Sequence, residues 1–117
     1  MIERDKAAVL VIDVQTGFGS YDTFDSVAAA CGRLVGGAEV LGVPVLATEQ
    51  YPRGLGPTAD AVGLTANTKP VEKTVFSAVR AEGFDLGGRT QVVIAGIETH
   101  VCVAQTALDL IDKGVEV

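Results

Sequence analysis

The chain is poor in cysteine, in positive charge and in long hydrophobic runs, and each shortage narrows what it can be. Only two cysteines, Cys31 and Cys102, occur in 117 residues, and they lie far apart. No framework of paired cysteines stands in for a core, so a reducing compartment is expected. Fifteen acidic residues face nine basic ones, for a net charge of −6, and the basic residues form no cluster. Nucleic acid and anionic membranes are therefore excluded as expected partners. The first apolar run, Ala7 to Ile12, ends at Asp13. It is too short for a signal peptide or a membrane span, which makes the cytoplasm the expected location. Repeats and low-complexity stretches are missing too. So is a Gly-x-Gly-x-x-Gly after the first apolar run, where Asp13–Val14–Gln15 stands instead; this argues against a dinucleotide-binding module.

What remains is apolar and patterned. Hydrophobic residues make up 48% of the chain, enough for one folded domain over residues 1–117 and too many for disorder. Ala7–Ile12, Val43–Ala47 and Gln91–Ala95 are continuous apolar runs of the kind found in strands buried on both faces. Phe24, Val27, Ala28, Cys31, Leu34, Val35, Ala38 and Leu41 recur at helical spacing, with Asp22 or Thr23 placed to cap the start and Gly42 the end. A second helical pattern runs from Cys102 to Lys113. Thr74 to Ala81 reads as a short helix, a short strand is expected near Val71, and Val115–Val117 looks like the start of another strand. Strands alternating with helices predict an α/β domain with a parallel sheet between two helical layers. Ligands in such sheets bind beyond the carboxyl ends of the strands. Asp13 and the segment Gly96 to Cys102 fall at such ends.

Cys102 opens a predicted helix, where the dipole and free N–H groups lower a thiol pKa. A buried apolar role is the alternative, and it is the one expected for Cys31 on the apolar face of the first helix. Asp13 can cap a turn or act as an acid–base group. His100 lies too close to Cys102 along the chain to approach it as a base from across a site, so packing or an interface is expected of it.

Three segments occur in order: Val11–Ile12–Asp13–Val14–Gln15, Glu72–Lys73–Thr74–Val75–Phe76–Ser77–Ala78 and Gly96–Ile97–Glu98–Thr99–His100–Val101–Cys102–Val103. Together they resemble the signature segments of isochorismatase-like cysteine hydrolases. The stretch Thr48–Glu49–Gln50–Tyr51–Pro52–Arg53–Gly54–Leu55–Gly56–Pro57–Thr58 is most similar to the small isochorismatase domain-containing branch.

The resemblance implies a three-layer α/β/α, Rossmann-like isochorismatase fold, here lacking the family's C-terminal strands, as in a chain truncated at that end. It implies a hydrolase acting on a small amide, carbamoyl or vinyl-ether substrate through a covalent thio-intermediate. Cys102 would be the nucleophile, Asp13 the acid–base group and Lys73 the charge between them. Backbone N–H groups of Glu98 and Cys102 would form the oxyanion hole, with a cis peptide at Ile97–Glu98. Gln15, Phe18, Tyr51 and Ile97 would line the pocket. Metal-dependent relatives carry Asp and His where this chain has Gln50 and Pro52; neither is a good transition-metal ligand, so no metal or other cofactor is expected. Relatives commonly oligomerise, which implies a homo-oligomer. The rival expectations are a binding or scaffold protein on the same fold, without turnover, and a redox-sensing cysteine.

Overall fold

The computed structural model describes residues 1–117. Four parallel strands, β1 (Ala7–Ile12), β2 (Val45–Gln50), β3 (Val71–Lys73) and β4 (Gln91–Gly96), form one sheet in the order β3-β2-β1-β4. Helix α1 (Phe24–Leu41) connects β1 to β2, a single turn α2 (Pro52–Leu55) follows β2, and α3 (Ala104–Asp112) follows β4. Strand order reverses between β1 and β4, so the ends of these two strands and of β2 converge at one crevice.

All six residues of β1 are buried, because it is flanked by β2 and β4 and covered on both faces. The side-chain alternation of a strand divides it between two cores. Val9 and Val11 pack with Phe24, Ala28, Cys31, Val35 and Ala38 of α1. Leu10 and Ile12 pack with Ala78, Val92, Cys102 and Leu110 on the opposite face. The three-layer architecture follows directly, and Cys31 is core as expected. Fully burying one such side chain is worth roughly 1.5–3 kcal/mol.

α1 begins and ends where the pattern placed it. Gly42 closes it in the left-handed conformation, φ 70°. Thr23 precedes its first turn, but its side chain makes no capping bond. Three expectations shift. The second strand runs from Val45 to Gln50 rather than Val43 to Ala47; Thr48, Glu49 and Gln50 continue the strand because its end faces polar partners. Thr74–Ala81 is not a helix; only Ala78–Arg80 forms a 3₁₀ turn. The carbonyls of Val75 and Phe76 turn inward to the Lys73 ammonium instead of along a helix axis. The last helix is entered through a π turn, Thr99–Val103.

Val115–Val117 supplies a single bridge, Glu116 beside Gln91. Beyond it, β4 is an edge strand. No helix is long and apolar enough to cross a membrane.

Candidate active site

The site begins where β1 stops. Asp13 is 1% exposed and has φ 54°, a left-handed backbone that few residues other than glycine, asparagine and aspartate adopt readily. This turn aims the carboxylate across the sheet end. One oxygen, Oδ1, accepts a hydrogen bond from Thr48 Oγ1 at 2.7 Å. The other, Oδ2, accepts from Lys73 Nζ at 2.9 Å. Thr48 follows Ala47 on β2, and its carbonyl also holds the Asp13 N–H, so backbone and side chain are fixed by the same neighbour.

Lys73 ends β3. Its side chain is wholly sealed from solvent. A buried ammonium is tolerable only when its donors are satisfied and its charge is paired. Here Nζ reaches Asp13, Gln50 Oε1 at 2.7 Å, the Phe76 carbonyl at 3.0 Å and the Val75 carbonyl at 3.1 Å.

Cys102 arrives from beyond β4. Gly96 makes this approach possible: with φ 143° it lies against β1 so closely that any side chain would collide with the Ile12 carbonyl. The Ile97–Glu98 peptide is cis. The Glu98 carbonyl then accepts from Val101 and Val103, which winds the π turn carrying Cys102. The thiol is buried beside Ile12 and Leu110, and its pKa is pushed up to about 11. Burial is the main cause. The Asp13 carboxylate, as an acceptor for the thiol proton and as a negative charge, adds to it, and the Lys73 ammonium opposes both. A helix start by itself would lower the pKa. Desolvation and a neighbouring carboxylate outweigh the turn's dipole, so the resting thiol keeps its proton.

Asp13, Lys73 and Cys102 therefore meet, from three different strand ends. The other expected residues divide. Glu98 turns its carboxylate to the surface, where Tyr21 Oη donates to it at 3.1 Å, and its N–H donates to no group of the chain. Gln15 is completely buried. Its amide is committed to backbone: Nε2 donates to the Gln50 and Gly56 carbonyls, and Oε1 accepts from the Gln50 N–H. It braces the wall rather than lining the pocket. Phe18 is half-buried and packs against Tyr21 with ring centres 5.7 Å apart and planes tilted by 44°. Ile97 is half-buried against the α1-side core. Tyr51 is exposed, with φ 37°, and with Pro52, Arg53, Lys73 and Arg80 it lines a polar cavity of about 490 Å³. His100 is exposed, not packed in the core.

Two residues of the site, Thr48 and Gln50, were given no part in it from the sequence, where Gln50 entered only as a poor metal ligand. A signal was there: a polar Thr-Glu-Gln directly after an apolar strand core, at the end of the sheet where ligands bind. No three His, Cys, Asp or Glu side chains gather as a metal cluster would require.

Known proteins share this arrangement of strands. Residues 7–117 match the Isochorismatase domain. Isochorismatase domain-containing protein 2A of Mus musculus is 40% identical over 97% of this chain and 56% of its own length. Isochorismatase domain-containing protein 1 of Salmo salar is 45% identical over 80% of this chain and 35% of its own. Among solved structures, the MAR1 ribonuclease of Caenorhabditis elegans superposes with a TM-score of 0.87 and 36% identity, over 97% of this chain and 62% of its own. The YcaC gene product of Escherichia coli, described as an octameric hydrolase of unknown specificity, superposes with a TM-score of 0.83 and 28% identity, over 97% of this chain and 61% of its own. The chain spans about half the length of the first of these curated relatives. With the domain match over residues 7–117 and relatives about 40% identical across nearly the whole chain, the chain belongs to the isochorismatase domain family.

Proposed function

We propose that the protein is a cysteine-dependent hydrolase of a small amide, carbamoyl or vinyl-ether type compound, with Cys102 as nucleophile. The observation that carries this reading is the meeting of a buried carboxylate, a buried ammonium and a buried thiol at one sheet end. For a carbonyl substrate, the Cys102 proton passes to Asp13 as sulfur bonds to the carbonyl carbon. The oxyanion is received by the N–H groups of Glu98 and Cys102. Collapse breaks the bond to the leaving group, which takes the proton from Asp13 and departs. Water then attacks the thioester, gives a proton to Asp13, and the carbon–sulfur bond breaks as that proton returns to sulfur. Lys73 keeps its proton throughout and offsets the negative charge that moves between Asp13 and sulfur. The scheme calls on no metal or cofactor.

A small molecule suits this centre better than RNA, although one structural neighbour is named a ribonuclease. The chain carries a net charge of −6, and the lysine of the site is spent internally. We also take the working form to be a homo-oligomer in the cytoplasm; an octamer is described for one neighbour.

A second reading, a binding protein on this fold without turnover, is favoured by one observation. The 490 Å³ cavity reaches Lys73 but is not lined by Cys102 or Asp13. Screening amides, carbamoyl compounds and vinyl ethers against wild type and Cys102→Ala separates the two. Turnover abolished by the substitution supports the hydrolase. Ligands that raise Tm equally in both proteins, with no product formed, support the binding protein.

A further inference from the structure

Gln50 stands in the sheet directly beside Lys73. The two are register partners in the parallel β2–β3 pair, so their side chains leave the same face of the sheet. Gln50 Oε1 accepts from Lys73 Nζ at 2.7 Å, a shorter contact than the 2.9 Å between Nζ and the Asp13 carboxylate. The Gln50 backbone is itself held. Its N–H donates to Gln15 Oε1 at 2.7 Å and its carbonyl accepts from Gln15 Nε2 at 2.9 Å. Gln15 in turn holds the Gly56 carbonyl at 2.8 Å. A fully buried amide thus clamps the strand end that presents the Gln50 side chain, which holds the ammonium together with the Val75 and Phe76 carbonyls of the loop after β3.

We infer that Gln50 is a positioning residue for the triad: its neutral carbonyl fixes the Lys73 ammonium between Asp13 and Cys102 while adding no charge to the centre. The inference rests on the hydrolase reading only in placing Lys73 beside the reacting thiol. The choice of an amide over its isosteric acid has a chemical reason. With Gln50 neutral, the one negative charge that passes from Asp13 to sulfur as the proton moves stays matched by Lys73. A carboxylate in the same place would put a second anion on the same ammonium and raise the cost of forming one at sulfur. An apolar residue of the same shape would leave three N–H donors to Asp13, Val75 and Phe76. The ammonium would then be drawn toward the loop after β3, and its support of the thiolate would weaken.

Two near-isosteric substitutions separate these effects. Gln50→Met removes the acceptor and keeps the shape; Gln50→Glu keeps the shape and adds charge. The readout is the alkylation rate of Cys102 against pH with iodoacetamide, resolved from Cys31 by peptide mass spectrometry, on protein shown to be folded by circular dichroism. At pH 8 the rate should fall about 3–10-fold in Gln50→Met and more than about 10-fold in Gln50→Glu, equivalent to thiol pKa rises of roughly half a unit to one unit and of more than about one unit. A merely structural role would move Tm and leave the pH profile in place. Profiles that coincide with wild type in both variants overturn the inference. Should one variant fail to fold, the other decides by the same criterion. Lys73→Gln is the reference. A slowed thiol there with unchanged Gln50 variants defeats the role of Gln50 alone, whereas an unchanged thiol in Lys73→Gln defeats the triad and this inference together.

Discussion

Asp13 Oδ2 and Lys73 Nζ stand 2.9 Å apart with side chains 1% and 0% exposed, an ion pair joining the ends of two strands that are not neighbours in the sheet. Its energetics follow from its burial. The pair gives little net stability against an apolar filling, but each member is strongly needed by the other.

Lys73→Met should therefore lower unfolding free energy by about 3–5 kcal/mol, since it leaves the Asp13 carboxylate buried and uncompensated. Asp13→Asn should do the same from the other side. The double variant should be less destabilised than the sum, by about 1–3 kcal/mol of coupling. Urea unfolding midpoints of the four proteins check this; strict additivity would show that the two charges do not interact.

The pH dependence of the thiol has a definite sign. A pKa pushed up to about 11 means that Cys102 is protonated across the physiological range. Its alkylation rate should rise about tenfold per pH unit from 7 toward 10, with the thiolate only about one part in 10⁴ at pH 7. Cys31, also raised by burial and enclosed between α1 and β1, should stay unmodified while the fold holds. A plateau in Cys102 reactivity near pH 8 would contradict the high resting pKa and restore the activated thiolate expected from the helix start.

Thr48→Val tests the hold on the carboxylate. The substitution removes the 2.7 Å bond to Asp13 Oδ1 and leaves a buried oxygen short of a donor. A loss of about 1–3 kcal/mol is expected, together with a lower kcat at nearly unchanged KM on any substrate found. An unaltered kcat would confine Thr48 to stability.

Much of this was legible in the residues. The two-faced burial of β1 was readable because β-branched and aliphatic residues fill it without a polar interruption, and α1 because its apolar positions keep a helical period over five turns. Asp13 and Cys102 announced themselves as polar or reactive groups at strand ends. Thr48 and Gln50 did not, since a polar residue that completes a buried network looks in sequence like a strand that has stopped. The resting state of Cys102 was equally hidden. A turn's dipole can be inferred from position, but the balance of burial, carboxylate and ammonium depends on three segments that only the fold brings together. Gln15 shows the same limit: its nearness to Asp13 in sequence suggested a part in shaping the pocket, and only the fold shows its side chain bonded to the neighbouring strand.

The left-handed turn at Asp13 bears on how this site can decay over generations. Position 13 is restricted twice, by chemistry and by a φ of 54° that most side chains resist. Replacement there damages the framework as well as the reaction, and only asparagine or glycine escapes the first penalty. Cys102 lies in a helical turn without that restriction, so serine or alanine fits with no backbone cost. A descendant released from selection for turnover should lose its sulfur before its aspartate, and a silent member of the family would then be recognised by an intact Asp13–Lys73 pair beside a small, unreactive residue.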